Sequence, residues 1–134
     1  MRRNKRTSHS SIEQAVNDIQ KGKLIEKKAM EFLNNSNKYS DVRDVSAMGL
    51  GYDIECKDTS RTFYIEVKSF EKDYFELTEN EYNSWQKNKK IYKIFLIKLN
   101  SASNTIYEKL IDGEDLENFF DIQISRYKCK CKCK

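Results

Sequence analysis

The amino-acid sequence predicts an α/β or α+β domain built on one mixed central β-sheet that is flanked by helices. Three observations predict this class. Apolar residues recur at helical spacing near the start of the chain, three segments of strand character follow, and a helix-capping motif then precedes a strongly apolar strand. The chain has 134 residues, of which 38% are hydrophobic, and this suits one domain with a folded core.

Two helices are expected before the first strand. Apolar residues at helical spacing form two sets, which are Ile12, Ala15, Val16 and Ile19, and then Ile25, Ala29, Phe32 and Leu33. Gly22 stands between the sets, so we predict one helix over residues 11–20 and a second over residues 23–34. The short polar side chains that follow favour a turn.

Three strands are predicted after these helices, over residues 41–46, 52–57 and 61–70, where β-branched and aromatic side chains recur. The last two are separated by a short polar turn at residues 58–60. We therefore expect them to pair as a hairpin.

A capping box opens the second half of the domain. The Thr78 hydroxyl can accept a hydrogen bond from the Glu81 amide while the Glu81 carboxylate reaches back to the Thr78 amide, which predicts a helix to about Asn88. Residues 91–99 are rich in Ile, Leu, Phe and Tyr and are predicted to form a central buried strand. The C-terminal addition comprises a short helix and an edge strand, at residues 114–120 and 122–127.

Basic residues concentrate at both termini. Nine of the 25 lysines and arginines lie within residues 2–6 and 126–134, whereas residues 7–125 carry 16 basic and 21 acidic residues. We therefore divide the chain into a basic arm (1–10), one domain (11–125) and a basic tail (126–134). The arm and the tail are expected to bind nucleic-acid phosphates, and solvated termini are the alternative. The residues assigned to this contact are Arg2, Arg3, Lys5, Arg6, Lys128 and Lys130.

Three of the four cysteines, Cys129, Cys131 and Cys133, alternate with lysine at the end of the chain. A structural zinc site commonly uses four ligands with C-x-x-C spacing. Because no fourth ligand is evident, a frayed tail is preferred to a metal site there. Cys56 is predicted to be a buried thiol on the same strand face as Ile54.

The sequence also bears on location. No apolar run reaches the length of about 18 residues that spans a bilayer, and no apolar segment of a secretory signal follows the basic start. We expect a cytoplasmic protein without membrane contact.

Two carboxylates and one ammonium are predicted to meet on the hairpin. Glu66 and Lys68 are spaced two residues apart on the third strand, so they share a face while Val67 points the other way. The short turn brings Asp53, which is expected on the second strand, across from them. Asp53 and Glu66 are candidate ligands for Mg²⁺ or Mn²⁺, and Lys68 is a candidate for orienting water or stabilising charge on a phosphate. The alternative is a solvated strand face.

Four segments resemble a known domain family. They are the Gly-Tyr-Asp-Ile run at residues 51–54, the Ile-Glu-Val-Lys-Ser run at 65–69, residues 77–82 and residues 92–97. Together they resemble the domain at the C terminus of the NO VEIN protein, which also occurs in bacterial restriction and defence proteins. That domain is counted within the PD-(D/E)XK nuclease superfamily. The resemblance runs from about Gly22 to Leu99.

The resemblance implies a restriction-endonuclease-like core with the order α-β-β-β-α-β. It makes Asp53, Glu66 and Lys68 the motif residues of a catalytic centre. It also implies a glutamate on the first core helix, for which Glu26 fits best and Glu31 is the weaker candidate.

The function that follows is a Mg²⁺-dependent endonuclease acting on DNA, in restriction or phage defence. Two alternatives stay open, which are a non-catalytic nucleic-acid-binding module and a protein-interaction subunit with a nuclease fold. Cutting both strands with one site per chain favours a homodimer or a larger defence complex.

Three aromatic side chains are expected in the core rather than stacked on bases, namely Tyr82, Trp85 and Tyr92.

Overall fold

The computed structural model describes residues 2–70, 73–123 and 128–131, with side chains described from Asn17 to Ile122 inside these ranges. The helices are α1 (Arg2–Asn35), α2 (Glu79–Lys87) and α3 (Leu116–Phe119). The strands are β1 (Ser40–Asp44), β2 (Ile54–Lys57), β3 (Thr62–Ser69), β4 (Tyr74–Glu76), β5 (Tyr92–Leu99), β6 (Thr105–Asp112), β7 (Phe120–Gln123) and β8 (Lys128–Cys131). Short 3₁₀ turns cover Ser46–Met48 and Gly113–Asp115.

The main sheet has five strands in the order β1-β2-β3-β5-β6. β3 and β5 run parallel, and the other neighbours are antiparallel. α2 lies on the crossover between the parallel pair, as a parallel connection requires. The predicted mixed sheet, the β2–β3 hairpin and the order α-β-β-β-α-β are confirmed, with the short β4 inserted before α2.

The two faces of the sheet pack against different elements. On one face, Ile25, Ala29 and Leu33 of α1 pack in a cluster with Ile65 and Phe95. The alternate residues of the same strands face a second cluster that contains α2 and the C-terminal addition. The buried members of that cluster are Phe75, Leu77, Trp85, Tyr92, Ile94, Leu96, Ile111, Leu116 and Phe120. The site described below lies on this second face.

The prediction of two helices before the first strand is wrong, because α1 continues from Arg2 to Asn35 without a break. A glycine inside a helix costs only about 1 kcal/mol relative to alanine, which flanking helix-forming residues can offset. No described atom lies within 4 Å of a Cβ built on Gly22, so packing also does not disturb the helix there. The predicted basic arm therefore forms the start of α1.

The C-terminal region differs most from expectation. β6 was not predicted, because its side chains are mostly exposed and lack a clear strand pattern. The predicted helix at residues 114–120 is shorter in the structure, and the predicted edge strand is β7, while residues 124–127 lie outside the described ranges.

The expectation of a frayed tail is wrong for residues 128–131. These residues form β8, which is the central strand of a second sheet ordered β4-β8-β7. The Lys-Cys alternation has the two-residue period of a strand. Cys129 pairs in register with Phe75 on one side and Ile122 on the other.

Within the described part of the chain, no helix combines the length and the apolar character needed to cross a membrane.

Candidate active site

Asp53 lies at the end of the β2–β3 ladder. It was expected on a strand, but β2 begins one residue later at Ile54, which pairs with Ile65. The Asp53 amide still donates to the Ile65 carbonyl (2.9 Å), and its Oδ2 accepts from the Val67 amide (2.9 Å). Val67 lies beyond the last residue of β3 that pairs with β2, and its amide donates to the Asp53 carboxylate instead of to a strand carbonyl. This contact fixes Asp53 beside Glu66.

Glu66 and Lys68 share a face of β3, as predicted, and their charged groups lie 3.4 Å apart between Oε2 and Nζ. Val67 between them is buried in the α1 cluster on the opposite face. Glu66 is only 2% exposed, and its Oε1 accepts no hydrogen bond from any described residue. The alternative of a solvated strand face is therefore wrong for Glu66.

Glu81 completes the cluster, although the sequence indicated it only as a helix cap. The capping box is present as predicted, with the Glu81 amide donating to Thr78 Oγ1 (3.1 Å) and the Thr78 amide donating to Glu81 Oε1 (2.9 Å). The same Oε1 accepts from Lys68 Nζ at 2.7 Å. Lys68 is therefore held between a strand carboxylate and a helix carboxylate.

The proximity of the charges in a buried place shifts their pKa values. Burial, and then the charges of Asp53 and Glu81, raise the pKa of Glu66 to about 10, against the opposing effect of Lys68. Burial also raises the pKa of Asp53, although the Val67 amide opposes it. Burial alone would lower the pKa of Lys68, but the carboxylates of Glu66 and Glu81 outweigh it and raise the pKa. Lys68 in turn lowers the pKa of Glu81 despite burial.

Glu26 of α1 reaches the edge of this cluster, as the family resemblance implied. Burial raises the pKa of Glu26, and the charges of Asp53 and Asp44 raise it further, while a hydrogen bond with Ser46 opposes both. Glu31, five residues further along α1, is exposed. The structure therefore brings Glu26 into electrostatic contact with Asp53, and Glu26 is the better candidate of the two.

A tight packing contact holds the loop that carries Asp53. Gly51 has a φ of +87°, and a Cβ added there would lie 2.9 Å from the Asn80 carbonyl oxygen and 2.9 Å from Ser84 Cβ. The Tyr92 hydroxyl donates to the Gly51 carbonyl (2.8 Å).

Trp85 and Tyr92 are fully buried, which confirms that they are core side chains, and Tyr82 packs edge-on against Trp85. Cys56 is buried as predicted.

The carboxylates of the cluster offer oxygen ligands of the kind that a divalent cation takes. Among the described residues, no group of three His, Cys, Asp or Glu side chains is arranged to hold a metal ion. Mg²⁺, however, is commonly bound by one or two carboxylates and keeps several waters. The buried Glu66 Oε1, without a partner among the described residues, is an oxygen that such a cation can satisfy. Asp53 and Glu66 together therefore fit a hydrated Mg²⁺ or Mn²⁺.

The residues predicted to bind nucleic acid are not brought to this cluster by any described contact. Arg2, Arg3, Lys5 and Arg6 lie in the first turns of α1, and Lys128 and Lys130 lie on β8. Their side chains lie outside the described part of the structure, so their contact with phosphates stays a prediction.

Comparison with known proteins gave one match. The family model described as Protein NO VEIN, C-terminal, matches residues 25–110, which are more than half of the chain and contain Glu26, Asp53, Glu66, Lys68 and Glu81. Neither the curated proteins nor the solved structures compared with the chain gave a match. On the strength of the family model, this chain belongs to the family of NO VEIN C-terminal domains.

Proposed function

We propose that this domain is a metal-dependent endonuclease of the PD-(D/E)XK type that hydrolyses phosphodiester bonds in DNA. The observation that carries the proposal is the buried Glu66, flanked by Asp53 and by the ammonium of Lys68 at 3.4 Å. A buried carboxylate costs free energy unless it is paired or binds a cation. Groups with strongly shifted pKa values that cluster in this way are typical of catalytic sites.

Each side chain has a distinct part in the proposed reaction. Asp53 and Glu66 would hold Mg²⁺ or Mn²⁺, which when bound supplies Lewis-acid polarisation of the phosphate and a water of lowered pKa. Lys68 orients the attacking water or stabilises the negative charge that develops on the phosphoryl oxygens. Glu26 would act on the metal ligand Asp53 through its charge.

The setting follows from the resemblance rather than from the geometry. Related domains occur in bacterial restriction and defence proteins, so we propose restriction or phage defence as the context. A homodimer or a larger defence complex would supply the second site that double-strand cutting needs.

The experiment is a cleavage assay on supercoiled plasmid, linear duplex, single-stranded DNA and RNA across a Mg²⁺ and Mn²⁺ titration. Asp53→Asn and Glu66→Gln are expected to abolish cleavage and to reduce the metal-induced rise in Tm, because a bound cation stabilises the folded state by mass action. Lys68→Ala is expected to lower the rate about a hundredfold, the loss of one transition-state charge contact, while metal binding persists or tightens.

Lys57→Ala on β2 is the matched control, since it removes an exposed lysine of the same sheet at the end of β2 that is opposite to Asp53. Its cleavage rate should equal that of the wild type. A wild-type protein that cuts none of these substrates with either metal would overturn the proposed function.

A further inference from the structure

We propose that Glu81 is a positioning residue, which draws the Lys68 ammonium away from Glu66 and so leaves the Glu66 carboxylate available to a divalent cation. This inference rests on the metal site of the proposed function. It concerns how that site is kept open, and it assigns a second role to a residue that also caps α2.

The distances show which carboxylate holds the lysine. Lys68 Nζ lies 2.7 Å from Glu81 Oε1 but 3.4 Å from Glu66 Oε2. A charge-assisted hydrogen bond is strongest near 2.7–2.9 Å, so Lys68 is bonded to Glu81 and only loosely paired with Glu66. Glu66 Oε1 accepts nothing from the described residues. Glu66 is therefore only loosely paired with Lys68 through Oε2, and its Oε1 has no hydrogen-bond donor among the described residues.

The capping box makes Glu81 a fixed anchor. Its Oε1 accepts from the Thr78 amide (2.9 Å) as well as from Lys68, and its own amide donates to Thr78 Oγ1 (3.1 Å). The carboxylate is thus held by the first turn of α2 before it meets the lysine. A side chain that is already ordered loses little further entropy when it binds a partner.

The consequence is a competition between two cations for Glu66. Without the Glu81 carboxylate, the Lys68 ammonium has Glu66 as its nearest described acceptor and would move onto it. A divalent cation would then have to displace a direct ion pair. Glu81 therefore favours metal binding because it holds the Lys68 ammonium away from Glu66, and it does not need to contact the metal.

The test uses Glu81→Gln, because glutamine at this position still completes a capping box while it loses the charge that holds Lys68. Glu79→Gln is the matched control, since Glu79 is an exposed acid in the same first turn of α2. The readouts are the Mg²⁺ dissociation constant from calorimetry and the Mg²⁺-induced rise in Tm, both without nucleic acid. We expect Glu81→Gln to weaken Mg²⁺ binding about tenfold, the equivalent of one charged hydrogen bond, and Glu79→Gln to leave it unchanged within about twofold.

A second measurement of Glu81→Gln, in a protein that also carries Lys68→Ala, separates the effect on Lys68 from the effect on the helix cap. With the competitor removed, Glu81→Gln should change the Mg²⁺ dissociation constant by about twofold or less, the residual effect of a nearby charge. Two outcomes would overturn the proposal, which are an unchanged Mg²⁺ affinity in Glu81→Gln and a tenfold loss that persists in the Lys68→Ala background. A wild type that binds Mg²⁺ but cuts no nucleic acid overturns the nuclease function alone, whereas one that binds no Mg²⁺ overturns both proposals.

Discussion

At the scale of single residues, Glu66 links the candidate site to the stability of the fold. Burial and the neighbouring carboxylates raise its pKa from 4.5 to about 10. Because the folded protein holds this proton more tightly than the unfolded chain, raising the pH between these values favours unfolding. Glu66 therefore costs the metal-free protein more stability at alkaline pH than at acidic pH.

Glu66→Gln should remove this pH dependence. The variant is expected to be more stable than the wild type at alkaline pH, with an advantage at least about 1 kcal/mol larger at pH 9 than at pH 5. Urea denaturation of metal-free protein at pH 5, 7 and 9 measures it. Glu108→Gln on the exposed face of β6 is the control and should show no such trend. An advantage that does not grow with pH would contradict the raised pKa of Glu66.

The residues of the site differ in how far the sequence indicates them. Glu66 and Lys68 follow from the two-residue period of a strand, and the short hairpin turn places Asp53 beside them. Glu26 required the family resemblance. Glu81 was missed because its capping box is a sufficient reason for a glutamate at that position, and its contact with Lys68 joins residues 13 apart in sequence. Only the packing of α2 on the sheet shows that contact.

At the scale of elements, the approach of the Gly51 loop to α2 fixes where Asp53 stands. The Gly51 φ of +87° is unfavourable for other residues, and a Cβ there would lie 2.9 Å from the Asn80 carbonyl oxygen. Asn80 belongs to the helix that also carries Glu81. The contact between the Gly51 loop and α2 therefore positions Asp53 and Glu81 relative to each other.

Gly51→Ala is expected to destabilise the fold by about 2 kcal/mol or more, through backbone strain and the clash with α2. Gly49→Ala is the matched control, because Gly49 also has a positive φ (+67°) but no described atom lies within 4 Å of its added Cβ. It should cost about 1 kcal/mol from strain alone. Urea denaturation compares the two variants. Equal losses of stability in the two variants would mean that the close contact between Gly51 and α2 does not affect the free energy of unfolding.

α1 packs on the opposite face of the sheet and brings Glu26 within electrostatic reach of Asp53. Glu26→Gln should lower metal-dependent cleavage, because it removes a negative charge that acts on the metal ligand Asp53. The fold should stay intact, because neutralising a carboxylate whose pKa is raised by burial and by Asp53 relieves repulsion. Glu31→Gln removes an exposed acid from the same helix and should not change the rate. Cleavage rates and Tm values for both variants test this, and equal rates for Glu26→Gln and wild type would remove Glu26 from the site.

At the scale of the whole molecule, the described parts of both basic segments belong to regular secondary structure. The N-terminal basic residues lie on α1, and residues 128–131 form the middle strand of the second sheet. The sequence indicated their charge but not their structure. Gly22 suggested a helix break that the flanking residues override, and β8 becomes recognisable as a strand only beside β4 and β7, which lie far apart in sequence.

This placement decides how the basic termini must be tested. Deleting residues 126–134 would remove β8 and disturb the second sheet, so a loss of binding would not report on charge. Substitution by glutamine keeps the backbone, and glutamine is a good helix former in α1. The informative variant replaces all six predicted contact residues: Arg2, Arg3, Lys5, Arg6, Lys128 and Lys130.

This six-fold variant should bind duplex DNA more weakly and with a flatter salt dependence. If all six residues contact phosphates, the slope of log K against log salt falls in magnitude by up to about 5, because each contact releases nearly one counterion. The cleavage rate at saturating DNA should stay within a few-fold of the wild type, since the proposed reaction assigns these six residues no part in the chemistry. Lys23→Gln with Lys27→Gln, at exposed positions of α1, is the control for loss of helix charge. An unchanged slope in the six-fold variant would show that these six residues have no direct part in binding DNA, and that other residues of the domain engage the substrate.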